Sequence, residues 1–95
     1  MELLRRRVSY SEAAFSELVL WQPPAPLPGS TRAYKYRLAY VVNEVCVLRY
    51  DNESGKGDHR HFRGKESRYA FEGVDRLLAA FQRDIERINR EDSHS

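Results

Sequence analysis

The chain has 95 residues, of which 41% are hydrophobic and 12% aromatic, and its formal net charge at pH 7 is +2. This length predicts one domain, and the apolar fraction is high enough for a folded core, which argues against global disorder. No apolar run approaches the roughly 20 residues that a membrane span requires. The N-terminal residues 1–8 are basic without an apolar segment after them, so we expect no secretory signal and a cytoplasmic protein.

Charge is distributed unevenly along the chain. Residues 49–68 hold six basic and four acidic groups, whereas residues 72–92 hold four arginines and six carboxylates. A basic middle and an acidic end are compatible with an anionic partner such as nucleic acid. A mixed, solvated surface is the simpler interpretation of the same pattern.

The first two predicted elements are strands over residues 3–10 and 13–22. The first alternates arginines with other side chains, as a half-exposed edge strand does. The second is rich in β-branched and aromatic residues. A helix over residues 11–20 is the alternative, but the bulky Val19 and Trp21 favour a strand.

A proline-rich segment follows, and all four prolines fall within residues 22–30. Proline cannot donate to a ladder or continue a helix, so this segment predicts an extended connection between strands. Residues 23–26 also fit the PxxP pattern of polyproline ligands, although a stiff connector explains them equally well.

Residues 33–50 predict a β-hairpin. Side chains alternate along residues 33–42, and Asn43-Glu44 separates this run from a second apolar run. Two residues with Asn first indicate a tight turn, because Asn tolerates the positive φ that such turns need. The only cysteine, Cys46, lies in the second run, which predicts a buried side chain without a disulfide.

Three tyrosines of this hairpin, Tyr34, Tyr36 and Tyr40, share one face. Tyrosines on a small basic sheet could stack on unpaired bases, as they do in proteins that bind single strands. Half-buried core tyrosines give the same pattern, so both interpretations stay open here.

The C-terminal half predicts one short strand and one helix. Residues 58–62 could form the strand, residues 63–67 read as a loop, and residues 73–90 have apolar side chains at helical spacing. The apolar stripe consists of Val74, Leu77, Leu78, Phe81, Ile85 and Ile88. The opposite face carries Arg76, Arg83, Asp84, Arg87 and Arg90. The predicted fold is α+β, a single domain over residues 1–95. It is an antiparallel meander of four to five strands with one C-terminal helix packed on one face and a frayed tail at 91–95.

Residues 49–61 concentrate reactive side chains beyond what folding requires. His59 and His61, two apart on an extended segment, would project to the same face. Imidazoles transfer protons near neutral pH, as cleavage of RNA through its 2′-hydroxyl requires. The expected catalytic residues are His59 and His61 as base and acid, Lys56 at the phosphate, and Asp58 orienting an imidazole. Arg49 and Arg60 are the expected phosphate ligands.

Two other interpretations of this segment stay open. Asp51, His59 and His61 could form a metal site with an open position, although H-x-H beside aspartates is not specific. The segment could also be a solvated hairpin tip, because Asp, Asn, Ser and Gly are ordinary turn residues. The Gly55-Lys56-Gly57 spacing lacks the GxxxxGK[ST] pattern of nucleotide loops, so no nucleotide cofactor is expected, nor any other.

Two segments, Tyr34 to Val42 and Arg49 to His61, resemble the TumE family of small bacterial toxins from toxin–antitoxin systems. Trp21 with its proline-rich continuation and the helix from Phe71 to Phe81 fit the same layout. One departure is Asn43-Glu44, where we would expect a turn with Gly, and this affects turn strain rather than function.

The resemblance implies a cytoplasmic toxin that is encoded beside a DNA-binding antitoxin and neutralised by direct contact with it. It supplies no established active site, so the roles of the residues above rest on their own chemistry. Toxins of this size often act on RNA, which agrees with a metal-independent ribonuclease. The alternative is a non-catalytic module that binds nucleic acid or protein through a basic sheet face. The expected partners are the antitoxin, RNA and, in a homodimer, a second copy of the chain, without a membrane.

Overall fold

The computed structural model describes residues 1–22, 34–52 and 57–93. These residues form six strands and one helix: β1 Glu2–Ser11, β2 Ala14–Trp21, β3 Lys35–Val42, β4 Val45–Asp51, β5 His59–Phe62, β6 Lys65–Arg68 and α1 Val74–Ser93. The strands form one antiparallel sheet in the order β1-β2-β3-β4-β5-β6. The predicted α+β meander is confirmed, but the described part of the chain contains six strands instead of four or five.

The additional strand is β6, which lies in the segment predicted to be a loop. Arg63 and Gly64 both have positive φ, 49° and 84°, and form the two-residue turn that returns the chain beside β5. All four residues of β6 are exposed. Because neither face of this edge strand is buried, its sequence lacks the alternation of apolar and polar residues that marks a strand.

The β3–β4 hairpin is confirmed, including its two-residue turn. Asn43 has φ of 50° and Glu44 has φ of 67°, so both residues adopt the left-handed conformation typical of tight hairpin turns. A bulge follows on the β4 side, since Tyr40 pairs with Leu48 but Val41 pairs with Cys46.

Replacing Glu44 with glycine is expected to stabilise the protein, because a side chain with a Cβ is strained at positive φ. We expect the free energy of unfolding in urea to rise by about 0.5–1 kcal/mol. Glu12→Gly is the matched control, since Glu12 lies in the β1–β2 turn without positive φ. This substitution removes the same charge and should give no gain. Equal effects of the two substitutions would contradict the strain argument.

The hydrophobic core lies between one face of the sheet and α1. The predicted apolar stripe is confirmed, since Leu77, Phe81, Ile85 and Ile88 are at most 1% exposed. The facing side chains of the sheet include Tyr36, Leu38, Tyr40, Leu48 and Tyr50.

Residues 14–21 form a strand, so the helix alternative for this segment is wrong. In the described ranges, no helix combines the length and the apolar composition that a membrane crossing requires.

Two core tyrosines connect the sheet to α1 through hydrogen bonds of their hydroxyl groups. Tyr40 donates to Oδ1 of Asn89 at 2.6 Å, and Tyr50 donates to Oδ2 of Asp84 at 2.6 Å. Tyr36 and Tyr40 are each 1% exposed. Their rings are therefore closed to a nucleic acid base, which removes the stacking interpretation for these two residues.

Asp84 differs from its predicted place on the polar face of α1. Its Oδ2 also accepts from Nε of Arg60 at 2.9 Å, and the same Nε lies 3.0 Å from the Tyr50 hydroxyl. Burial, together with the Asp84 carboxylate, raises the pKa of Tyr50 above its ordinary value. Helical spacing alone missed this contact, because a polar network under the helix leaves no apolar signature.

Cys46 is exposed, so the predicted burial of this side chain is wrong. The register of β4 with β5 begins at Leu48, and the first residues of β4 therefore extend past the neighbouring strand. Val45 beside it is 59% exposed for the same reason.

The proline-rich connection after Gln22, Lys56 with the preceding part of its turn, and the C-terminal His94 lie outside the described residues.

Candidate active site on the open face

The face of the sheet opposite α1, here called the open face, is built from cross-strand rows. One row runs across all six strands through Arg5, Val19, Arg37, Asp51, His59 and Arg68. The next runs through Arg7, Glu17, Ala39, Arg49, His61 and Glu66. The Trp21–Lys35 pair extends the face at one end. These described residues include six cations and only three carboxylates, so the open face is basic.

Five of these side chains form the histidine cluster: Arg49, Asp51, His59, His61 and Glu66. Alternation within β5 places both histidines on one face, and the β5–β6 turn brings Glu66 opposite His61. Oε1 of Glu66 lies 3.3 Å from Nδ1 of His59 and 3.6 Å from Nε2 of His61. One carboxylate oxygen therefore lies within reach of both imidazoles.

Arg49 connects the cluster to β4. Its Nη2 lies 2.9 Å from Nε2 of His61, and its Nε lies 2.7 Å from Oδ2 of Asp51. A guanidinium has only donors, so Nε2 of His61 accepts in this contact. This contact fits the tautomer of His61 that has its proton on Nδ1 and a lone pair on Nε2.

The cluster is partly open to solvent. The side chains of His59 and His61 are 15% and 29% exposed, and that of Glu66 is 57% exposed. A phosphodiester that approached the sheet from this side would meet the imidazoles, the guanidinium and the carboxylate together. These are the functional groups of acid–base chemistry on an anion.

A model of the TumE family, described as toxin TumE, matches residues 3–89. The chain belongs to the TumE family. A search of the curated proteins and a search of the solved structures found no match to it. The resemblance inferred from the sequence is thus confirmed over nearly the whole chain. Membership in the TumE family makes this protein a toxin component, for which an antitoxin is the implied partner.

The structure of this TumE family member brings together some of the predicted site residues and separates others. His59, His61 and Arg49 share the open face, and Asp51 lies beside them. Asp58 lies towards the helix side, where it is 5% exposed and accepts from the Tyr36 hydroxyl at 2.5 Å. Arg60 lies on the helix side as well, bound to Asp84.

The alternative metal site is not assembled. Among the described residues, no three His, Cys, Asp or Glu side chains are grouped so that they could hold a metal ion. The proposed ligands Asp51 and His61 instead contact Arg49 on either side of its guanidinium.

Sequence reasoning missed Glu66, whose carboxylate lies 3.3 Å from the His59 ring and 3.6 Å from the His61 ring. The sequence predicts a loop over residues 63–67, and a loop does not place this carboxylate opposite His61. The Arg63-Gly64 pair was the available signal, because Gly at the second position of a two-residue turn permits the positive φ of a hairpin. A two-residue turn at Arg63-Gly64 pairs Phe62 with Lys65, and the next pair outward is His61 with Glu66.

Proposed function

We propose that this TumE family toxin is a metal-independent ribonuclease whose active site is the histidine cluster. The observation that carries the proposal is the position of the Glu66 carboxylate between two imidazoles, with the Arg49 guanidinium on His61. Side chains alone then supply a base, an acid and a cation. The basic open face supports an RNA substrate, because phosphates are attracted to it along several strands.

In the proposed reaction, His61 removes the proton from the 2′-hydroxyl of one ribose, and the 2′-oxygen forms a bond to the adjacent phosphorus. The bond from phosphorus to the 5′-oxygen breaks, and His59 donates a proton to that oxygen. The products are a 2′,3′-cyclic phosphate and a 5′-hydroxyl end. His61 takes the role of base because its Nε2 already has an acceptor character.

Arg49 is proposed to bind the reacting phosphate. A phosphate would compete with Nε2 of His61 for the guanidinium, and this exchange frees the imidazole lone pair for proton transfer. Lys56 keeps its proposed place as a second phosphate ligand. The orienting role first expected of Asp58 is now proposed for Glu66, and Arg60 is proposed to act through the packing of β5 on α1.

Glu66→Gln is expected to lower RNA cleavage while leaving the fold and RNA binding intact. The amide keeps the size of the carboxylate but removes the negative charge that lies 3.3 Å from His59. We expect roughly a 10- to 100-fold loss in rate, less than the loss of a general acid itself. Cleavage of total RNA in the presence of a chelator measures the effect, and the ends of the products identify the reaction.

The control is Glu44→Gln, the same substitution in the exposed β3–β4 turn. It should cleave like the parent protein. Cleavage by Glu66→Gln at the parent rate would remove this residue from the site, and activity that requires an added metal would contradict the metal-independent reaction.

A second candidate function is suggested by the open face as a whole. Its cations extend from β1 to β6, far beyond the histidine cluster, so the protein could inhibit by occupying RNA or a protein target without cleaving it. Such a toxin would show binding that weakens steeply with salt if the target is nucleic acid. Its toxicity would survive loss of the histidines.

We further propose that the implied antitoxin is a DNA-binding protein that neutralises the toxin by direct contact in the cytoplasm. Family membership supports the existence of this partner. A homodimer of the toxin itself stays a prediction from sequence.

A further inference from the structure

Trp21 lies at one end of the open face and has no role in the histidine cluster. It is the last residue of β2 and is 39% exposed, a large fraction for an apolar ring. It lines a cleft of about 270 Å³ together with Arg5, Lys35 and Arg37. A planar ring beside three cations matches the two parts of a nucleotide, a base and its phosphates.

The cations of this cleft are available to a ligand. Arg5 contacts Glu2 at 2.5 Å, and its own side chain is 68% exposed. In the part of the chain that the structure describes, Lys35 and Arg37 form no ion pair. The carboxylate nearest to Arg37 in the register, Asp51, is bound by Arg49. The cleft therefore carries positive charge that the described protein does not neutralise.

The cleft is separate from the histidine cluster but shares its face. Arg37 stands in the same cross-strand row as His59, with Asp51 between them. Neighbouring strands are about 4.8 Å apart, so the three strand intervals from β2 to β5 put Trp21 roughly 14–16 Å from His59. A base at Trp21 would thus belong to a nucleotide other than the one that is cleaved.

We propose that the Trp21 cleft binds a base of single-stranded RNA, with the flanking phosphates on Lys35 and Arg37. This inference rests on the proposed function, because it assigns the cleft to the substrate of the same open face. An unpaired base can stack on an exposed indole, whereas a base inside a duplex is already stacked on its neighbours. Single-stranded RNA is therefore the substrate class that the cleft selects.

The chain contains one tryptophan, so tryptophan fluorescence, excited where tyrosine does not absorb, reports on this cleft alone. The probe is a short 2′-O-methyl oligonucleotide, which cannot be cleaved through a 2′-hydroxyl. We expect it to quench the fluorescence of the full chain. An abasic oligonucleotide with the same number of phosphates should bind without quenching, because it has no base to stack.

Binding of the labelled oligonucleotide is then compared among three variants by fluorescence anisotropy. Trp21→Ala should raise Kd roughly 5- to 150-fold, the range for loss of one stacked base, and Trp21→Phe should restore most of the affinity. Tyr10→Ala is the control, since Tyr10 is 38% exposed and contacts Tyr40 on the helix side. It should bind like the parent protein.

The outcomes separate the two proposals. Quenching without any RNA cleavage would overturn the ribonuclease and leave the cleft as an RNA-binding site. Cleavage without quenching, or equal Kd values for Trp21→Ala and Tyr10→Ala, would overturn the cleft. Quenching by the antitoxin but not by the oligonucleotide would overturn it too, because the cleft would then be a protein contact.

Discussion

Replacing His59 and His61 together with alanine is expected to abolish RNA cleavage and the toxicity that follows from it. Each group carries a proton in the proposed reaction, and removal of one general acid or base costs roughly 10²- to 10⁴-fold in rate. Arg49 and the other cations of the open face remain, so RNA binding should persist. Cleavage of total RNA in chelator and growth of cells that express the variant without antitoxin measure the two effects.

His94→Ala is the matched control, because it removes the third histidine of the chain and leaves the cluster intact. It should remain fully active. A double variant that stays as toxic as the parent would show that the mechanism is wrong and favour the non-catalytic module. In that case Lys35→Glu with Arg37→Glu should abolish toxicity, because the second candidate function depends on the charge of the open face.

Asp84→Ala is expected to cause a large loss of stability, about 2–3 kcal/mol in the free energy of unfolding. The Asp84 side chain is 15% exposed and accepts hydrogen bonds from both Arg60 and Tyr50. Its removal leaves the Tyr50 hydroxyl without its acceptor and leaves the Arg60 Nε with the Tyr50 hydroxyl as its acceptor in place of a carboxylate. Urea denaturation measures the loss.

Glu86→Ala serves as the control, since Glu86 is exposed on the same helix and should change stability by no more than about 0.5 kcal/mol. Combining Asp84→Ala with Arg60→Met should cost less than the sum of the two single substitutions, because the pair is removed as a unit. Additive losses, or equal losses for Asp84 and Glu86, would show that the network contributes little.

The elements that sequence analysis predicted are those with a buried face. The stripe of α1 and the alternation in the β3–β4 hairpin follow from burial on one side only, and Asn43 supplied the turn. The strand β6 was not predicted because neither of its faces is buried, so only its pairing with β5 identifies it as a strand. Cys46 was predicted to be buried because it lies in an apolar run. Such a run does not show that pairing with β5 begins only at Leu48.

The site was predictable only in part for a related reason. Spacing within one strand placed His59 and His61 on one face, but it assigned no face to Arg49, which the structure pairs with His61. The position of Glu66 opposite His61 depends on the register between β5 and β6. That register cannot be derived unless the Arg63-Gly64 turn is recognised first. Asp58 and Arg60 alternate with the histidines in the chain, so the same period of two that unites the histidines turns these two side chains towards the helix.

The outermost strand of the sheet also sets how readily the site comes apart. β6 pairs with β5 alone and its four residues are all exposed, so the cost of peeling it off is far below that of global unfolding. Fraying of this strand would carry Glu66 away from both imidazoles while the core under α1 stayed intact. The proposed active site thus depends on an edge strand whose backbone pairs on one side only. A binding partner that merely displaced this strand would silence the cluster without touching either histidine.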